Sequence, residues 1–137
     1  MPLKVYIAHA MTHEAGAPEQ VGELIRWLKE RRVDVVHPVE GRSTEDLARA
    51  TLEDIRSAGV VVGDVSTYSH GVGFELGYAH ALGKPVIVIA RADRRGAVSR
   101  FLQAVFPGII WYSDAKELLQ VAAQIEDLES AHYGDDR

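Results

Sequence analysis

The sequence predicts a single α/β domain: an open, parallel, five-stranded sheet of flavodoxin-like order 2-1-3-4-5 with helices on both faces. Two observations lead there. Short runs rich in Val and Ile, such as Val60-Val61-Val62 and Val86-Ile87-Val88-Ile89, are bounded by turn residues, as buried parallel strands are. Segments with helical apolar spacing separate these runs, as crossover connections require. A chain of 137 residues suits one domain that buries about two-thirds of its unfolded surface.

Lys4 to Ala8 reads as the first strand, ending in a loop through His9 and Gly16-Ala17-Pro18. Pro18 with Glu19 is a helix start, and Val21, Leu24, Ile25 and Leu28 recur at helical spacing to about Arg32. Val33-Asp34-Val35-Val36 is the second strand, stopped by Pro38. A helix over residues 43–58 opens with Ser43-Thr44-Glu45-Asp46, where Ser43 and Asp46 resemble a capping box. Leu47, Ala50, Leu52 and Ile55 give it an imperfect apolar face. Val60-Val61-Val62 is strand three. A loop and a crossover helix follow over residues 66–85, with Gly71 and Gly73 at the helix start and Glu75 in its first turn. Val86 to Ile89 is strand four. After a charged loop over 91–96 comes a helix over 98–106, then the Pro107-Gly108 turn and a last strand, Ile109-Ile110-Trp111. Asp114 caps a final amphipathic helix through Leu118, Val121, Ile125 and Leu128. The domain is expected to span residues 1–131, with 132–137 a frayed polar tail.

Composition narrows the function. A net charge of −5 without any basic run argues against a nucleic-acid or anionic-membrane surface. The absence of Cys excludes disulfides, thiolate metal sites and a Cys nucleophile. No apolar run approaches the length of a membrane span, and a strand begins at once where a signal peptide would lie, so a cytoplasmic protein is expected. Six histidines are scattered without HxH or HExxH spacing, so no metal site is expected. The chain has neither a dinucleotide-type GxGxxG nor a Walker A sequence. A small ligand with a single phosphate is therefore favoured over a dinucleotide or triphosphate, and no cofactor is expected.

Ligands on such sheets bind beyond the carboxyl ends of the strands, where the strand order reverses. That rule gathers the loop from His9, the loop over 66–71 and the region after strand four. Hydroxyls and glycines at a helix N-terminus suit an anion such as phosphate, and a carboxylate beside them suits glycosidic chemistry. Glu75 is the leading candidate; its plainer reading is an acid that favours the helix dipole. Tyr6, mid-strand among aliphatic neighbours, either packs or turns its hydroxyl toward a polar partner such as Glu75. Glu53 and Asp54 are a solvated helix face or a second catalytic acid, and Asp64 is a site residue or a turn cap. His9 and His70 lie on the two loops that meet at the ligand.

The first-strand Tyr6-Ile7-Ala8, the stretch Ser69-His70-Gly71-Val72-Gly73-Phe74-Glu75-Leu76-Gly77-Tyr78-Ala79 and Gly83-Lys84-Pro85-Val86 together resemble the nucleoside 2-deoxyribosyltransferase superfamily. Within it the chain is most similar to the nucleoside 5′-monophosphate N-glycosidases, over roughly residues 3–113. The resemblance implies hydrolysis of nucleotides to a free base and a (deoxy)ribose 5-phosphate. It implies Glu75 as nucleophile at the anomeric carbon and Tyr6 as the group that orients it. Ser69 stands where the transferases carry a sugar-contacting Asp, and with Gly71 it implies phosphate binding. Gly96-Ala97-Val98-Ser99 resembles an element whose Ser reaches the neighbouring subunit's phosphate, which implies a homodimer with shared sites. Gly73 and His9 complete the expected substrate contacts. Ser99 as a cap for its own helix, a deoxyribosyltransferase and a non-catalytic nucleotide-binding module remain alternatives.

Two departures stand out. Aligned on Ile55 and Ala58, the family's Asp, which acts in leaving-group protonation or base contact, is Thr51, with Asp54 the nearest substitute. The first loop reads Ala8-His9-Ala10-Met11-Thr12, without the family's Gly and Ser or Arg.

Overall fold

The computed structural model describes residues 3–10, 19–37 and 43–135, with side chains to Ala131. Among these residues five strands form one parallel sheet: β1 (Lys4–Ala8), β2 (Asp34–Val36), β3 (Val60–Asp64), β4 (Val86–Arg91) and β5 (Ile110–Tyr112). Their order is β2-β1-β3-β4-β5, as the sequence predicts. β1 lies between β2 and β3, with Tyr6 in register with Val36 on one side and Val61 on the other.

The two-residue period of β1 sorts its side chains between two cores. Val5 and Ile7 pack with α1 (Glu19–Glu30) and α5 (Leu119–Asp135), through Val21, Leu24, Leu28, Val121 and Ile125. Tyr6 and Ala8 face the other layer, formed by α2 (Thr44–Ser57), α3 (His70–Ala81) and α4 (Arg100–Val105). The two tryptophans divide likewise: Trp27 packs against the first core and Trp111 against the second. On β3, a Cβ on Gly63 would stand 2.4 Å from Leu76 Cδ2. The missing side chain lets α3 lie close to the sheet and carries Glu75, the neighbour of Leu76, down with it.

Several boundaries differ from expectation. α3 starts at His70 because Ser69 caps it, the Val72 N–H donating to Ser69 Oγ at 3.2 Å. Glu75 therefore falls in the second turn, not the first. Ser43 caps α2 as expected, accepting from the Asp46 N–H at 3.2 Å. The charged loop after β4 winds into a short 3₁₀ helix, Ala92–Ala97. Asp114 caps a second 3₁₀ turn, Ala115–Leu118, which leads into α5. α5 continues to Asp135, so the backbone beyond His132 is helical where a frayed tail is expected. Met11, Thr12 and His13, the Gly16-Ala17-Pro18 turn and the Pro38 strand stop lie outside the described residues. Among the described residues no helix is long and apolar enough to cross a membrane.

Candidate active site

The carboxyl edge of the sheet carries a cavity of about 610 Å³, within the range of small-molecule sites. His9 borders it just beyond β1; Thr44, Leu47, Ala48, Thr51 and Leu52 line it from α2. Ser69, His70, Gly71, Val72, Phe74 and Glu75 line it from the start of α3. A smaller groove of about 300 Å³ lies between α1 and the start of α5, on the opposite face. Among the described residues, none of the buried unpartnered polar atoms belongs to its lining.

Glu75 is half-buried, and Oε2 of its carboxylate is buried without a hydrogen-bond partner. Burial raises its ionisation to about 7, and the Tyr6 hydroxyl partly opposes that rise. Tyr6, 1% exposed, reaches toward Glu75 from β1, and its phenol is held well above the ordinary value by burial and by the Glu75 charge. The Thr51 hydroxyl favours the phenolate and opposes that shift. Tyr6 thus lies within reach of both Glu75 and Thr51. The Tyr6 hydroxyl, however, forms no hydrogen bond of full geometry, so the cluster is close-set and not closed. Because Glu75 lies beyond the first turn of α3, stabilisation of the helix dipole does not account for it.

The other expected residues divide. Ser69 and Gly71 stand at the mouth of α3 on the cavity wall. Ser69 Oγ accepts from Val72, which leaves its own proton available to a ligand. The Gly73 N–H instead donates to the Ser69 carbonyl at 3.2 Å, and Gly73 is not among the lining residues. The structure does not bring Asp54 to the cavity: its Oδ1 accepts from Lys4 Nζ at 3.1 Å, toward the amino end of β1. Asp64 is buried and takes a structural place, accepting from Tyr112 Oη at 2.5 Å and the Ser66 N–H at 2.8 Å. Ser99 caps α4 within its own chain, accepting from the Leu102 N–H at 3.3 Å, and does not line the cavity.

His9 is 4% exposed. Its Nδ1 lies 3.3 Å from the Ala10 carbonyl, and its Nε2 is buried without a hydrogen-bond partner. Burial lowers its pKa. Sequence reasoning missed the α2 wall of Thr44, Leu47, Ala48 and Leu52 and the part played by Phe74. The signal was the apolar face of residues 43–58, which reads equally well as core. Among the described residues no cluster of His, Cys, Asp or Glu could hold a metal.

Residues 5–128 match the profile of the family described as nucleoside 2-deoxyribosyltransferase. A Thermofilum pendens protein provisionally named 2′-deoxynucleoside 5′-phosphate N-hydrolase 1 is 32% identical over 86% of this chain and 91% of its own. The mouse 5-hydroxymethyl-dUMP N-hydrolase is 41% identical over 39% of this chain and 31% of its own length. The solved structure of the Clostridium botulinum CMP N-glycosidase BcmB covers 88% of this chain and 98% of its own, with a TM-score of 0.68 at 20% identity, a likeness of fold. A profile match over most of the chain, a relative of nearly equal length and a shared sheet order agree: this chain belongs to the nucleoside 2-deoxyribosyltransferase family.

Proposed function

We propose that the chain hydrolyses the N-glycosidic bond of nucleoside 5′-monophosphates, releasing the free base and ribose or deoxyribose 5-phosphate. The observation that carries this reading is Glu75, a half-buried carboxylate in the cavity wall with Tyr6 beside it and its ionisation raised to about 7. In its ionised form Glu75 attacks C1′ as the bond to the base breaks through an oxocarbenium-like transition state. Water then resolves the glycosyl ester. Tyr6 orients the carboxylate for attack and faces the charge that returns to it as water resolves the ester. The Ser69 hydroxyl and the Gly71 amide, which precedes the first intrahelical hydrogen bonds, receive the phosphate. Asp54, held by Lys4, takes no part. Relatives named for hydrolysis of nucleotides support the reaction class. The exposed Phe101, two residues after Ser99, supports a homodimer in which Ser99, as the family resemblance implies, also reaches the partner's phosphate site.

Chromatography of base release from a panel of ribo- and deoxynucleoside monophosphates tests the reading. Glu75→Ala should lower kcat/KM by at least about a hundredfold. Near wild-type turnover in that variant would remove Glu75 from the mechanism. Thr51 in place of the family acid favours a second reading, a binding module without turnover. Tight nucleotide binding with no base release over hours would establish it. Base exchange on a phosphate-free deoxynucleoside would instead mark a transferase, which Ser69 argues against.

A further inference from the structure

Departure of the base needs a proton, because the electron pair of the broken C1′–N bond ends on the base. Among the described residues of the cavity wall the only carboxylic acid is Glu75, which is already engaged as nucleophile. Thr51 cannot supply a proton of useful acidity, and Asp54 is turned away to Lys4. Two histidines remain. His70 is exposed at the first position of α3, beside Ser69, where its ring is open to water and nothing among the described residues holds it toward the base. His9 is buried in the wall, held by the Ala10 carbonyl, with Nε2 unpartnered. A buried polar nitrogen without a partner costs stability unless a ligand supplies one.

We propose that His9 delivers, through Nε2, the proton that the departing base takes up. This role rests on the hydrolase reading above. With Nδ1–H donating to Ala10, the imidazolium carries its second proton on Nε2. As the C1′–N bond breaks, that proton passes to the base, the electron pair of the bond goes to the base, and a Glu75 oxygen bonds to C1′. The neutral imidazole then takes a proton from the attacking water, the hydroxyl adds to C1′ and Glu75 is released. His9 and Glu75 end as they began.

The titratable groups around His9 are His37 beyond β2, its ring 5.7 Å away, Asp64 at the end of β3, Tyr6 on β1, and Glu75 and His70 on α3. The lining from α2 contributes no charge. Asp64 favours the imidazolium against burial, and a bound phosphate adds negative charge on the same side of the balance. Reaction requires Glu75 ionised and His9 protonated, whereas the unliganded site favours the reverse. Both arrangements hold one proton, so kcat/KM should follow a narrow bell, with its falling limb near the Glu75 value of about 7.

The test compares wild type, His9→Gln and His9→Asn on matched nucleotides. GMP is paired with its N7-methylated form, whose base leaves neutral without a proton. UMP is paired with 5-fluoro-UMP, whose base is the better leaving group. On GMP or UMP the variants should lose about a hundredfold in kcat. On the activated partner the loss should shrink to within about threefold, and the falling limb of the pH profile should vanish. Because the comparison is made within each variant, a partly unfolded preparation lowers both members of a pair and cannot mimic the result. Equal losses on both members, or no loss on either, would overturn the role of His9 while leaving Glu75 standing. Base release by neither wild type nor variants would overturn the hydrolase reading itself, and His9 with it.

Discussion

At Glu75 burial works against the negative charge while the Tyr6 hydroxyl works for it, and burial wins. The consequence for stability has a definite sign. The folded chain holds this proton up to about pH 7, whereas an unfolded Glu releases it near its ordinary value of 4.5. The stabilisation from the protonated acid is therefore present below the unfolded value and is lost as pH rises through about 7. Glu75→Gln, which keeps the shape without the charge, should be more stable than wild type at pH 8–9 by up to about 3 kcal/mol. The two should converge below about pH 5. Urea titrations across that range read the difference; a constant gap would mean that Glu75 is not desolvated. That Tyr6 and Glu75 come together beside the cavity was legible because a hydroxyl within an aliphatic strand and an acid after paired glycines each lack a simple packing reason. The pairing of Asp54 with Lys4 was not legible, because an acid on a helix near a site looks the same in sequence whether it faces the ligand or a lysine.

The ends of the helices show how local chemistry sets the elements. α1 and α3 both finish with a left-handed residue followed by a backward hydrogen bond, Val33 N–H to Leu28 at 3.1 Å and Lys84 N–H to Ala79 at 3.0 Å. α3 uses Gly83 there, at φ 72°, and α1 uses Arg32, at φ 62°. A side chain in that conformation costs about 1 kcal/mol. Arg32→Gly should thus stabilise the fold by about 0.5–1 kcal/mol, less what the looser unfolded chain takes back. Gly83→Ala should destabilise it by about 1 kcal/mol, since a Cβ there meets nothing within 4 Å and only the backbone objects. Denaturation midpoints check both signs. The strand periods and most caps could be read from residue types, including Ser43 and Ser99. The start of α3 could not: glycines drew attention to the first turn, while the Ser69 hydroxyl had already closed it one residue earlier.

For the whole molecule, sheet order followed from strand runs and helical crossovers, because right-handed connections leave few alternatives. The cavity wall on α2 did not, since its apolar residues are equally good core until the neighbouring helix is in place. The shared-site dimer is tested at this scale. Sedimentation should give a dimer, and Ser69→Ala and Ser99→Ala should each raise KM several-fold for a monophosphate but little for a phosphate-free nucleoside. Ser99→Ala also loses a helix cap worth about 1 kcal/mol, which lowers stability without selecting between the two substrates. An unchanged monophosphate KM would return Ser99 to capping alone. The division of the core by the pleat of β1 has another consequence. Trp27 belongs to the layer of α1 and α5, with the Arg31 guanidinium 3.4 Å over its ring; Trp111 belongs to the layer that holds Glu75, with Arg95 at 4.3 Å. The chain thus carries a separate fluorescent reporter on each side of its sheet. In Trp27→Phe and Trp111→Phe, emission follows one layer at a time, and coincident urea transitions after allowance for each variant's stability are expected for one cooperative unit. A Trp111 signal that moved first would mean that the layer holding Glu75 loosens while the opposite layer stays folded, and would give a direct optical readout of ligands that tighten it.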